Sequence, residues 1–320
     1  MNLLHEKSTC CNAKIIRFGG KRRQCSVCKK TWRVYQSKRG RKNSRHQQNY
    51  LKKVFCQNFS IKQLSFNSTL PLDSIYKRFS KNLNNVINKK RVVRIRGEKL
   101  ILIIDAQWHY FKKDLWTIYF VAVKSTKSNF VTVLDPVLKQ GKENAKTWNE
   151  IFNHLPVSTR KRVIALVSDG IRGIETIASN NKWILQRCLF HLLSTLQKMR
   201  GKRASTYGRL IREKIYCLIE SIVYEKSKWK VKIFCRKLSL LIENDQIPKR
   251  MKMVAREFLR RLPEFRNHIE HQDLSLPNTV NVMESINSFS RRKAKTTCTP
   301  KSWHKWVLAC IRFKSIFNCK

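Results

Sequence analysis

Acidic side chains are scarce in this sequence. Its 320 residues hold 20 Asp and Glu against 68 Lys and Arg, a formal net charge of +48. A chain so one-sided repels itself unless a polyanion lies close. Nucleic acid is the expected partner, because each neutralised phosphate releases counterions and adds affinity whatever the base sequence. Long apolar runs are missing as well. No stretch reaches the roughly eighteen apolar residues of a membrane span, and the N-terminus has no signal-peptide core, so the expectation is a soluble, cytoplasmic protein with no membrane partner. No nucleophile motif and no coiled coil stand out. Core material is plentiful: 42% of residues are hydrophobic and eight are Trp, which speaks for folded domains rather than a basic packing tail, and the length suggests two or three of them.

Eleven cysteines would staple a small secreted chain, but in a basic intracellular one they are metal ligands or buried thiols. Cys25 and Cys28 have the CxxC spacing of a zinc knuckle, and Cys10 or Cys11 lies a ribbon length upstream. The upstream half is irregular, two adjacent cysteines in place of a second CxxC, which leaves the fourth ligand as the neighbouring thiolate, His5 or none. Residues 1–45 are therefore expected to form a zinc-ribbon-like DNA-binding module. Lys21, Arg22 and Arg23 crowd the turn of a short hairpin, where they would meet a phosphate backbone. Arg39, Arg41 and Lys42 follow as either a groove-contacting arm or a solvated linker.

Between 46 and 96 the apolar residues Leu51, Val54 and Phe55, then Ile61 and Leu64, then Ile75, Tyr76 and Phe79 mark three short helical faces parted by Asn, Ser and Pro. The pattern suits a helix-turn-helix whose second helix offers Lys77 and Arg78 to a groove, though any small three-helix domain would give it. Up to residue 99 there are 26 basic and 3 acidic side chains, so DNA docking is expected at this end.

From residue 100 strands take over. LILIIDAQWHY carries four consecutive apolar residues into Asp105, as in a strand covered on both faces. LWTIYFVAVK and FVTVLDPV complete an antiparallel meander, NAKTWNEIFNHL reads as a helix, and RVIALVSDG is a second buried strand that ends in Asp169. A carboxylate at such a strand end needs donors, a metal or water. Trp108, just past Asp105, either stacks on a base or packs, with packing the ordinary role. WILQRC adds a strand leading into CLFHLLSTLQKM. Residues 201–276 read as helices, and NTVNVMESINSFSRR as a further helix with Val280, Met283, Ile286 and Asn287 near one face, Glu284 beside it and Arg291 and Arg292 towards its end. Asp114, Asp135 and Glu175 sit near turns or a helix start, where capping or solvation explains them.

IIDAQW, VSDG, CLFH and NVMESINSF, in that order behind a cysteine ribbon and a helix-turn-helix, resemble the DDE transposases. The likeness is to bacterial insertion-sequence enzymes with an α-helical insertion between the second Asp and the Glu, and to their eukaryotic Mutator-like cousins. It implies an RNase H-like mixed α/β sheet core, in two parts at 97–200 and 277–320 around an all-α insertion at 201–276. It also implies that Asp105, Asp169 and Glu284 form the catalytic metal-binding triad, for which hard oxygen ligands suit two Mg²⁺ or Mn²⁺ ions. Cys188 and His191 match the family's CxxH, on one face of a helix by their spacing, and would approach the site, hold a metal or contact DNA, or else simply pack. Asn281 and Asn287, three residues either side of Glu284, would orient its carboxylate or a phosphate, or else lie solvated. The implied function is binding of element ends and metal-dependent cleavage and transfer of double-stranded DNA into a target, by a homo-oligomer associated with the bacterial nucleoid. A domesticated DNA-binding protein and an RNase H-like nuclease are the rival expectations.

Overall fold

The computed structural model describes residues 7, 8, 10–18, 22–33, 43–66, 68, 70–91, 93, 95, 97–128, 130–201 and 206–317. His5, Lys21, Arg39, Arg41 and Lys42 lie outside the described residues. Contacts divide the chain into two units, Met1–Tyr50 and Leu51–Lys320.

The first unit is built on three short antiparallel strands, β1 (Ile15–Arg17), β2 (Arg22–Cys25) and β3 (Thr31–Arg33). Register runs Ile16 to Gln24 and Arg23 to Trp32, and Cys25, which ends β2, is fully buried.

Three helices follow, α1 (Asn43–Cys56), α2 (Ile61–Phe66) and α3 (Leu72–Asn88). Ser60 opens α2 with a capping box: its hydroxyl accepts from Gln63 N at 3.1 Å and its N–H donates to Gln63 Oε1 at 2.7 Å. Leu51, Val54, Phe55, Leu64, Ile75 and Phe79 are buried as the spacing predicts. Tyr76 is not: it stands on the outer face of α3, 42% exposed.

The sheet of the second unit has strand order β6-β5-β4-β8-β9, with β7 also on β5. Its centre is the long hairpin of β4 (Leu100–Phe111) and β5 (Asp114–Ser125), closed by Lys112 in the left-handed region at φ 56°. The expected third strand over FVTVLDPV is in fact two, β6 (Val131–Val133) and β7 (Val137–Gln140). Pro136 has no N–H for a ladder, and Asp135 is drawn aside by Arg91 (2.9 Å) and Arg312 (3.2 Å). After α4 (Ala145–Asn153) and α5 (Val157–Arg160), β8 (Val163–Ser168) returns parallel to β4. Then α6 (Ile174–Asn180) leads to β9 (Ile184–Arg187), parallel to β8. This is the mixed α/β, RNase H-like core that the sequence resemblance implies.

Even positions of β4 (Leu100, Leu102, Ile104) pack under Trp148 and Phe152 of α4 and Ile174 and Ile177 of α6. Odd positions (Ile101, Ile103) pack under Met283 and Ile286 of α12 (Asn281–Thr296) and Trp303 and Val307 of α13 (Pro300–Phe317). Leu100 to Ile104 are each at most 1% exposed. At about 2 kcal/mol per buried aliphatic side chain they contribute on the order of 10 kcal/mol, enough to carry one ill-solvated carboxylate at the strand's end.

Between β9 and α12 the chain is mainly helical: α7 (Leu189–Met199), α8 (Arg209–Tyr224), α9 (Lys228–Ile242), α10 (Lys249–Arg260) and α11 (Leu262–Glu270) share one apolar cluster. α11 is also bound to the sheet, since Asn267 Nδ2 donates to Leu185 O at 2.7 Å and His268 N to Gln186 Oε1 at 2.8 Å. At the other end α1 and α3 lie on α12 and α13. Phe55 meets Phe289 and Phe313 at 5.5 Å, and Phe79 stacks on Trp306 at 5.1 Å.

Candidate active site

β4 and β8 are parallel neighbours with Ile103 opposite Val167, so two residues further on their registers bring Asp105 alongside Asp169. Asp105 is only 6% exposed. Its Oδ1 accepts from Ala106 N at 2.9 Å, and its Oδ2 accepts from Asn287 Nδ2 of α12. Asp169 leaves β8 where Gly170, at φ 98°, lets the chain turn away at once, and Ser168 Oγ lies 3.4 Å from its Oδ1. His191 comes from the first turn of α7. One ligand atom each from Asp105, Asp169 and His191 lie within 4.8 Å of one another.

The electrostatics follow from that crowding. Burial, and then the charge of Asp169, push the Asp105 carboxyl up to about 6, against the pull of His191, Asn287 and Ala106. The hydrogen bond with Cys188, joined by the charges of Asp169 and Asp105, pushes His191 up to about 9 despite its burial. Cys188 itself is 1% exposed and packs in the core beneath α12 at the N-cap position of α7, with no side-chain cap bond, while His191 faces the carboxylates.

Glu284 lies in the first turn of α12. The helix turns Val280, Met283, Ile286 and Asn287 inwards and leaves Glu284 exposed, where it lines the same cavity of about 530 Å³ as Asp105, Asp169 and His191. It is not within the 4.8 Å group, in which His191 holds the third place. Asn287 turns to Asp105 rather than to Glu284, and its Oδ1, on a residue 7% exposed, has no hydrogen-bond partner among the described residues. Asn281 opens α12. Lys198, Arg291 and Lys295 give the cavity a basic rim, while Arg292 donates to Asn58 Oδ1 at 2.5 Å.

Two features escape the sequence. Trp108, expected to pack, is 61% exposed, meets Tyr110 edge to face at 6.1 Å and lines the cavity. Both continue the face of β4 that α4 and α6 cover, beyond the point where those helices stop. Glu143, in the polar stretch before α4, accepts from Trp148 Nε1 at 2.7 Å. Burial and then the charge of Asp169 push it up to about 7.

In the first unit, Cys10, Cys11, Cys25 and Cys28 bring their sulfurs within 4.8 Å of one another. Lys29 N donates to Cys25 O at 3.1 Å and Asn12 N to Ser8 O at 2.9 Å, with Lys29 and Asn12 both at positive φ. The irregular half is thus the same knuckle as the regular one, with Ser8 where the first cysteine of a second CxxC would stand and Cys10 supplying the missing sulfur from inside the turn. Ser8 Oγ donates to Cys25 Sγ at 3.2 Å, the foremost of the bonds that lower that thiol to about 6. Arg22 is exposed and Arg23 half-buried on β2, and Lys77 and Arg78 stand exposed on α3.

A family model described as Transposase, Mutator family, matches residues 121–306. The chain belongs to the Mutator transposase family. The matched stretch runs from inside β5 to inside α13, so it takes in Asp169, His191 and Glu284 of this Mutator-family chain, and Asp105 lies just ahead of it. No curated protein matches the sequence. Among solved structures, the Drosophila P element transposase strand transfer complex aligns at 12% identity over 86% of each chain with a TM-score of 0.25, too slight a likeness to bear on fold or partner.

Proposed function

We propose that this Mutator-family chain is a DDE-type DNA transposase of an insertion sequence, which binds element ends and cleaves and transfers DNA strands with divalent metal ions. The observation that carries the reading is the meeting of Asp105 and Asp169 from adjacent parallel strand ends, with His191 beside them and Glu284 in the same cavity. The donor set fits a divalent cation. Asp105, whose proton affinity is raised by burial and then by the charge of Asp169, Asp169 itself, and a buried amide oxygen with no partner among the described residues offer oxygen ligands to such an ion.

Asp105, Asp169 and Glu284 would hold Mg²⁺ or Mn²⁺, two ions in all, with His191 as a further ligand. Bound there, the ions would supply Lewis acidity to the attacking and leaving oxygens of an in-line phosphoryl transfer. The chain's own side chains do the rest. Asn287 fixes the rotamer of Asp105 through Oδ2. Lys198, Arg291 and Lys295 draw phosphates to the cavity, and Trp108 offers a face on which an unpaired base stacks. His191, pushed up to about 9, keeps its ring proton at neutral pH beside the two carboxylates, and would have to be neutral to serve as a ligand. The four thiols of the N-terminal ribbon would hold Zn²⁺, and the exposed Lys77 and Arg78 of α3 would meet the element ends. Two ends must be joined to one target, so a homo-oligomer is the active form.

The test is cleavage of linear DNA carrying the element's terminal sequences, in Mg²⁺ or Mn²⁺. Wild type nicks at the element boundary, while Asp105→Ala, Asp169→Ala and Glu284→Ala each lose activity by orders of magnitude. Three variants that cleave like wild type would remove the active site assigned here.

A further inference from the structure

Arg187 closes β9 and is 6% exposed. Its guanidinium is shared among three other parts of the fold. Nε donates to Glu264 Oε2 of α11 at 2.5 Å, Nη1 donates to the carbonyl of Gly170 at 3.2 Å, and Nη2 lies 3.6 Å from Glu175 Oε1 of α6. The approach to Gly170 is so close that a Cβ there would stand 2.1 Å from Nη1. Glycine is required at this position twice over, once for its φ of 98° and once to admit the guanidinium. A second arginine backs the first. Arg261, at the junction of α10 and α11, bonds Glu264 at 3.0 Å and also pairs with Glu175 and Glu257.

Gly170 is the residue after Asp169, and Cys188, the residue after Arg187, donates its N–H to Ser168 O at 2.8 Å. The peptide that carries Asp169 is therefore held from both sides by the end of β9. We propose that Arg187 is the positioning residue of the metal centre: it fixes the backbone that aims Asp169, and through Glu264 it makes that aim depend on the helical region ending in α11. A lysine would not serve. One ammonium is a point charge, whereas the planar fork reaches a carbonyl and carboxylates lying in different directions. The proposal rests on the reading of Asp169 as a metal ligand.

Mn²⁺ binding to the full-length, DNA-free protein, followed by calorimetry or electron paramagnetic resonance, tests both layers separately. Wild type should bind Mn²⁺ at a site that Asp169→Ala abolishes. Arg187→Lys should weaken that binding about tenfold or more, the usual cost of losing a group that orients a metal ligand. Glu264→Gln, which leaves Arg187 and Gly170 in place, should weaken it in the same direction by less. It also decides the matter should Arg187→Lys fail to fold. A lowered Tm with wild-type Mn²⁺ affinity in the folded variants would make Arg187 a structural residue only and overturn the proposal. Mn²⁺ binding indifferent to Asp169→Ala would overturn the metal reading, and the proposal with it, a failure recognisable by that variant alone.

Discussion

Asp105 shows what a buried carboxylate costs its own fold. Its carboxyl is raised from 3.8 to about 6, so the protonated form is the one the folded chain favours. Its contribution to stability is full below pH 3.8 and is lost as pH rises through 6. At pH 8 the metal-free protein then carries a charge penalty of about 3 kcal/mol, from a shift of about two pH units. Asp105→Asn should therefore raise the Tm of EDTA-treated protein at pH 8 and change it little at pH 4. A variant no more stable than wild type at pH 8 would contradict the account of its burial. Asp105 and Asp169 were legible in the sequence because each ends an unbroken apolar run, where a charged residue demands a reason. Glu143 was not, because it lies in a polar stretch where acids are ordinary, and only the fold sets it near Asp169. The exposure of Trp108 was equally hidden, since it follows from where α4 and α6 stop rather than from β4.

At the scale of elements, the ribbon and the sheet differ in how far they could be read. CxxC spacing fixed the second knuckle, but the first is recognisable only from its turn, because Ser8 replaces the residue that defines the motif. That substitution makes a direct prediction. Cys10→Ser should lose stoichiometric zinc, and Ser8→Cys in the same chain should restore it by completing a regular pair, as read by metal analysis of purified protein. Failure of the double variant to bind zinc would mean that Ser8 does not stand at a ligand position. The apolar strands and most helices announced themselves by period. The break of FVTVLDPV did not, because Arg91 and Arg312, which hold Asp135, lie 44 and 177 residues away. α11 lies within residues 201–276, which read as helices, although Pro263 and a run of polar residues blur its own spacing. α13 repeats Trp303, Val307 and Ile311 every four residues, yet reads as buried only once the sheet beneath it is known.

The whole molecule is governed by its +48 charge, the excess that remains after all 20 acidic side chains are counted. Duplex binding by the full chain should fall steeply with salt. If about six phosphates are engaged, the loss is on the order of a thousandfold between 50 and 200 mM, and a flat response would rule out an electrostatic grip. Within the second unit the aromatic rings of Phe55, Phe79, Phe289, Trp306 and Phe313 lock α1 and α3 against the two helices that follow the insertion. One of those, α12, carries Glu284. The helix proposed to read the DNA and the helix proposed to cut it are thus two jaws of one caliper, and the number of base pairs between a recognised sequence and the broken bond is a length written into the packing of five rings.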